Sequence, residues 1–308
     1  MKPMNGDRNA TLPAADPFTS LAAHFGMLLG VADLETVVGH AWAKVRLHNA
    51  WLHGGGVVWG FGISVEGPSR EVQVSPGLAV DGLGRELHLP TLSCLDIAQW
   101  LEENRERVTM RETPEGDTFD AHVVARFRAC LARPVPALVS PCEGADAETA
   151  FSRLRETAEL LLVPQRSVRT VRYPRLRRLF GLPGTGDAKR DAAVGREVDP
   201  LRARAENAAE SERPDVWLDA VRRCAALDTV DRRPAGLDGQ DGSALLPGAE
   251  PADVVLGDLT GLRLTTVDGA TTACVGAVDV ATRTSHVDTT TLVELAAAGA
   301  IPQGGACS

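Results

Sequence analysis

Residues 47–89, LHNAWLHGGGVVWGFGISVEGPSREVQVSPGLAVDGLGRELHL, leave the chain few ways to fold. A helical pattern ends at His53 and runs into three glycines. Gly54 stands where a helix C-terminal glycine belongs. Val57, Trp59, Phe61, Ile63 and Val65 then alternate with Val58, Gly60, Gly62 and Ser64. That is the period of one strand with a bulky face and a nearly bare face. Gly60 and Gly62 predict close approach of another backbone or helix. Gly67-Pro68-Ser69, Ser75-Pro76-Gly77 and Asp81-Gly82 with Gly84 mark turns. Val72, Val74, Leu87 and Leu89 lie on the strands between them. The segment reads as a compact antiparallel β-meander.

The flanking sequence places this meander in an α+β chain. Residues 1–19 are polar and Pro-rich and read as a disordered arm. Leu21 to Gly30 is a short apolar segment expected to pack on the core. Asp33 is the expected N-cap of the next helix. Leu34, Val37, Val38, Ala41, Val45, His48 and Leu52 mark one face of that amphipathic helix. Leu95 to Val108 reads as a helix with Leu95, Ala98, Trp100 and Leu101 inward. Phe119 to Leu131 reads as a strand, with Val123, Ala125 and Phe127 alternating against His122, Arg126 and Arg128. Residues 153–163 fit both helix and strand, and the run Leu160-Leu161-Leu162-Val163-Pro164 favours strand. A helix-type insertion is expected at 166–250, with helical patterns near 200–210 and 215–227 and charged, glycine-rich flanks. Residues 252–284 return to strand character around a turn at Asp268-Gly269. A short helix, capped by Thr289 or Thr290 and stopped at Gly299, closes the chain. Four regions follow: a 1–19 arm, a 20–165 helix and β-rich domain, a 166–250 insertion, and a 251–308 hairpin and helix expected to pack on the β-rich domain.

Composition excludes several function classes. The net charge of −9 argues against nucleic acid as a partner. Apolar residues are 44% and aromatics only 4%, so the core is built mainly of Leu, Val and Ala. The N-terminus does not read as a signal peptide, and no apolar run approaches the roughly 20 residues that span a bilayer. Cys94, Cys130, Cys142, Cys224, Cys274 and Cys307 are scattered with no C-x-x-C pair, as expected of reduced thiols in the cytoplasm.

The catalytic-looking motif is His53-Gly54-Gly55-Gly56, similar to a lipase oxyanion-hole run. An oxyanion hole works only beside a nucleophile, and the chain has no G-x-S-x-G pentapeptide. The run reads instead as a helix stop and hinge, and no catalytic residue is assigned. His40, His48 and His53 lack a Cys or carboxylate at metal spacing, so no metal or other cofactor is expected. Cys130 and Cys142 bracket a proline-punctuated loop; inward-facing thiols are the simpler reading, with a disulfide or metal clip as the alternative. Glu102, Glu103 and Glu106 with Arg105 and Arg107 read as a solvated helix face. The basic run Arg166, Arg169, Arg172, Arg175, Arg177 and Arg178 has only Tyr173 as a stacking residue, which favours a protein contact over RNA. Trp42, Trp51 and Trp59 join Arg169, Arg172, Arg175, Arg177 and Arg178 as candidate interface residues, with core packing the alternative for the tryptophans. Gly54, Gly77, Gly82 and Gly84 are assigned to structural turns.

Several segments, taken in order, resemble a family encoded beside contractile injection systems, the phage-tail-like particles of bacteria. They are FGMLLGVADL, RLHNAWLHGGGVVWGFGISV, VQVSPGLAVDGLGRELHLP, CLARPVPALVSPCEGADAETAFSRLRETAELLLV and VVLGDLTGLRL…GAVDVATRTSHVDTTTLVEL. The stretch 185–250 departs from the pattern. The resemblance implies a particle-associated structural or adaptor protein; it is expected to be non-enzymatic, to sit at or near the baseplate or its peripheral appendages, to have other subunits of the particle as partners, and not to insert in a membrane. A cargo or effector of such a particle is the alternative, and an esterase-like hydrolase a remote one.

Overall fold

A computed structural model describes residues 16–65, 70–136, 149–168, 171–232, 245–248, 250–267 and 270–297. The turn at 67–69, Arg169, Cys142, Cys307, Asp268-Gly269, Gly299 and most of the 1–19 arm lie outside these residues. The chain has an α+β fold of six helices and eleven strands among the described residues. It divides into two compact units, Met1–Ser167 with Asp238–Ser308, and Val168–Leu237.

The larger unit opens on α1, Val31–His48, which widens into a π-helical turn at Asn49–His53. Gly54 ends it at φ 75° and donates its N–H to Asn49 O at 2.7 Å, so the helix-stop reading of Gly54 holds. β1 (Gly56–Gly60), β2 (Ile63–Ser64), β3 (Glu71–Val74), β4 (Gly77–Val80), β5 (Glu86–Leu89) and β6 (Ser93–Asp96) follow. They form two antiparallel three-stranded sheets, ordered β1-β4-β5 and β2-β3-β6. α2 spans Ile97–Asn104. A third sheet, ordered β10-β9-β7-β8, is built from β7 (Phe119–Pro136), β8 (Thr149–Pro164), β9 (Val254–Val267) and β10 (Ala270–Cys274). The short β11, Ala277–Asp279, also pairs with β9. One continuous core joins the three sheets through Phe61, Leu87, Ile97, Phe119, Val123 and Leu259. The Trp100 indole N–H donates to Leu162 O at 2.9 Å and its ring stacks on Phe119, which fixes α2 to the large sheet. Past β11, residues 284–286 run alongside β1: Val57 donates to Thr284 O and His286 donates to Val57 O, each at 2.8 Å.

Several sequence expectations need correction. Residues 57–65 are not one strand. Gly60 (φ 70°) and Phe61 (φ 53°) are both left-handed, and this break shifts the side-chain phase. Phe61 is fully buried, while Trp59 is 50% exposed. A Cβ at Gly60 would overlap Pro76 O, the close backbone approach its position predicted. Asp33 does not cap α1 at the N-cap; Gly30 does, and the Asp33 carboxylate three residues on accepts the Gly30 N–H at 2.8 Å. Leu95 belongs to β6, and α2 starts two residues later at Ile97. The Leu21–Gly30 segment does not pack on the core, since Phe25, Leu28 and Leu29 are exposed. Asp288, not Thr289 or Thr290, accepts from the Thr291 N–H and caps α6, Thr289–Ala297.

The largest correction concerns α1. An amphipathic helix ordinarily buries its apolar face. Here Leu34, Val37, Val38, Val45 and Leu52 are all exposed. The buried face is the opposite one, formed by Gly39, Ala43 and Ala50. Small residues there let the helix lie close to the β4–β5 turn. Gly84, at φ 75°, sits where any Cβ would overlap Arg46 O.

The smaller unit is helical: α3 (Pro174–Leu179), α4 (Ala188–Glu206) and α5 (Arg213–Asp231). α4 starts well before the expected 200–210 helix because the Asp187 carboxylate accepts from the Lys189 and Arg190 N–H groups. Leu179, Val194, Val198, Ala220 and Cys224 form its core.

Gly84→Ala should lower the unfolding free energy by about 2 kcal/mol or more, through left-handed strain plus the clash with Arg46 O. Urea unfolding of the full chain measures it.

Candidate functional site

The glycine junction and the β4–β5 turn form one structure. A Cβ on Gly55 would come within 3.1 Å of the Asp81 and Gly82 backbone, and one on Gly56 within 3.0 Å of Thr284 O. Gly55 and Gly56 are therefore accounted for by backbones pressed against them, and Gly54 by its φ of 75°. His53 itself is exposed, its ring 5.2 Å from that of His48. His40 is half-buried. Among the described residues no group of His, Cys, Asp and Glu side chains is placed to hold a metal ion.

The turn segment Ser75-Pro76-Gly77-Leu78-Ala79-Val80-Asp81-Gly82-Leu83-Gly84-Arg85-Glu86 centres on a buried ion pair. Asp81 Oδ1 accepts the N–H groups of Leu83 and Arg85 at 2.9 Å each, and Oδ2 accepts Arg85 Nε–H at 2.6 Å. The far side of the Arg85 guanidinium donates both remaining nitrogens to the Glu250 carboxylate. Its carbon lies 4.5 Å from the centre of the Phe127 ring on β7. Burial raises the Asp81 carboxyl against the opposing pull of Arg85. Burial would lower Arg85, but hydrogen bonds to Glu250 and Asp81 hold it above its ordinary value. Gly77 is required beside this turn, because a Cβ would come 2.5 Å from the Phe61 ring; Gly82 lies against Gly248. Sequence reading identified the turn glycines but missed the ion pair. The i, i+4 spacing of Asp81 and Arg85 was the available signal.

The proposed interface tryptophans have different environments. Trp42 is half-buried with the Arg46 guanidinium 4.9 Å from its ring centre. Trp51 donates its indole N–H to Leu245 O at 2.7 Å. Trp59 is the most open of the three.

Much of the basic run is neutralised inside the smaller unit. Arg175 pairs with Glu197 and Asp231 at 2.6 Å each and lies 3.4 Å from the buried Asp228. Hydrogen bonds to Glu197, then Asp231, raise the Arg175 pKa despite its partial burial. The Asp228 carboxylate also accepts the N–H groups of Arg175 and Leu176, so a side chain on α5 caps the start of α3. Arg178 makes a two-pronged pair with Asp199 at 2.7 Å per bond. Arg177 donates to Pro183 O, and Arg172 is exposed. Arg166, in the larger unit, lies 3.5 Å from Asp258.

Two apolar surfaces among the described residues remain open to water. One is the outward face of α1. The other is the far end of the β7–β8 hairpin. β9 pairs with β7 only from Phe119 to Ala125, whereas β8 follows β7 out to Pro136. Buried residues on the hairpin end at Ala129 and Ala158. Beyond them the ribbon has two strands, with Leu131, Val135, Phe151 and Leu154 exposed. Cys130 is a half-buried free thiol on β7.

No protein-family model matches the chain, and no curated protein matches it either. No helix among the described residues is long and apolar enough to cross a membrane.

Arg85→Ala should cost about 3 kcal/mol in a urea denaturation series, because it leaves a buried carboxylate without its counter-ion. A second outcome concerns pH. The hydrogen bonds and charge of Arg178 lower the Asp199 carboxyl in the folded chain. That contribution is present above the unfolded carboxylate pKa, near 3.8, and is lost as pH falls through the lower folded value. The gap in urea midpoint between wild type and Asp199→Asn should therefore be open at pH 6 and narrow below that range.

Proposed function

We propose that the chain is a non-enzymatic structural or adaptor component of a contractile phage-tail-like particle. It would sit near the baseplate and assemble in the cytoplasm into a particle that can leave the cell. The observation that carries this reading is the β7–β8 ribbon. A two-stranded ribbon in water is marginal by itself. This one carries four large apolar side chains into solvent beyond the last buried residue. A neighbouring subunit that packs on the ribbon or adds a strand to it would cover them.

Two further points support the reading. The segments that resemble the injection-system family include both ends of α1, the β4–β5 turn and much of the β7–β8 hairpin, so the likeness lies in scaffold elements. Close backbone packing at Gly55 and Gly56 and the positive φ of Gly54 give the His53–Gly56 run an architectural role, which supports the structural reading.

Particles purified from producing cells should contain the chain at a fixed copy number matching a rotational symmetry of the particle. Variable, substoichiometric copies in the lumen would favour cargo instead. Phe151→Glu with Leu154→Glu should reduce incorporation at least tenfold. The stability of the free chain should change by only about 0.5 kcal/mol per exposed site.

A further inference from the structure

The outward face of α1 follows a coiled-coil period. Val31, Leu34, Val38, Ala41, Val45, His48 and Leu52 succeed one another at alternating spacings of three and four. Through the α-helical residues Val31–His48 this is a 3.5-residue repeat, with Val31, Val38 and Val45 at a and Leu34, Ala41 and His48 at d; Leu52 follows on the π-helical turn. On a straight helix such a stripe drifts by about 20° per heptad, so it remains one seam only when it supercoils with another helix. All seven side chains are exposed, and no described residue covers them. The helix is held in place from its other side by Gly39, Ala43 and Ala50, so the seam is free without any refolding.

We propose that a second copy of this chain covers the seam, the two α1 helices pairing antiparallel. Area supports a stable pair. With Phe25, Leu28 and Leu29 just before the helix, the stripe leaves on the order of 1,000 Å² of apolar surface in water. A standard interface needs roughly 800 Å² per partner. The seam is also self-complementary. When each a position meets a d position, Val38 faces Ala41, Leu34 faces Val45 and Val31 faces His48 of the second copy. Leu52 then comes level with the second copy's exposed Phe25–Leu29 segment. Charge selects the antiparallel sense. The exposed charges are Glu35 in the first half of α1 and Lys44 in the second; Asp33 and Arg46 are engaged within the chain, with the Gly30 N–H and Leu83 O. Antiparallel copies bring unlike halves and opposed helix dipoles together, whereas parallel copies place like against like. This pairing does not depend on the particle reading: a dimer that never enters a particle would sink that reading and leave this one standing.

The test is light scattering of the purified full chain at tens of micromolar. The expected mass is about twice the 32.6 kDa of one chain. Leu34→Glu with Val38→Glu should give a monomer with an unchanged circular dichroism spectrum, and the milder Leu34→Ser with Val38→Ser should weaken the dimer at least tenfold. A monomeric wild type, or a dimer that both pairs of substitutions leave intact, overturns the proposal. The sense is read from spin labels at Ala32→Cys in a chain with Cys94, Cys130, Cys142, Cys274 and Cys307 changed to Ser, the buried Cys224 being kept. Antiparallel helices in this register separate the labels by roughly 22 Å along the axis, from a rise of 1.5 Å per residue. Labels at the same level would overturn the antiparallel arrangement.

Discussion

A carboxylate sealed from water must meet its partners where it stands, and Asp81 meets three of its own at the β4–β5 turn. Two backbone N–H groups and Arg85 hold it, and Arg85 then reaches Glu250 and lies over Phe127 on β7. The turn is thus fixed to the large sheet and to the segment that follows the helical unit. α1 rests on this fixed turn through Gly84, the π-helical turn leads to β1, and residues 284–286 close against β1. Breaking one partner would leave a buried charge, which is why local turn geometry and long-range packing depend on each other here.

The turn also sets how α1 can lie. Arg46 O approaches Gly84 closely, and Ala50 packs with Leu83 and Leu246. Only small side chains fit on that face. The Val and Leu stripe is therefore left pointing away, available for association. The β7–β8 ribbon arises differently. β7 is long because β8 pairs with it to the end, but β9 pairs with it only from Phe119 to Ala125, so among the described residues no third strand joins the outer ribbon.

The strand residues of β7 and β8 were legible because alternation and an apolar run carry their own period. The turn glycines were legible because Gly60, Gly77 and Gly84 do jobs no other residue does. The break at Gly60–Phe61 was not, since an alternating pattern does not reveal that two consecutive residues are left-handed. Nor was the fate of the arginine run. Glu197, Asp199, Asp228 and Asp231, which neutralise Arg175 and Arg178, lie tens of residues away and meet them only when α3, α4 and α5 pack.

α1 separates the two sources of information most clearly. By itself the sequence determined that a helix runs through Leu34 to His53, that Gly54 ends it, and that an antiparallel β-rich structure follows. It also determined that Leu34, Val37, Val38, Ala41, Val45, His48 and Leu52 share one face of that helix. Which face turns inward was decided only by the tertiary structure. The gap above the Asp81–Arg85 turn admits a backbone but no large side chain, so the small face is buried and the heptad seam is left in water.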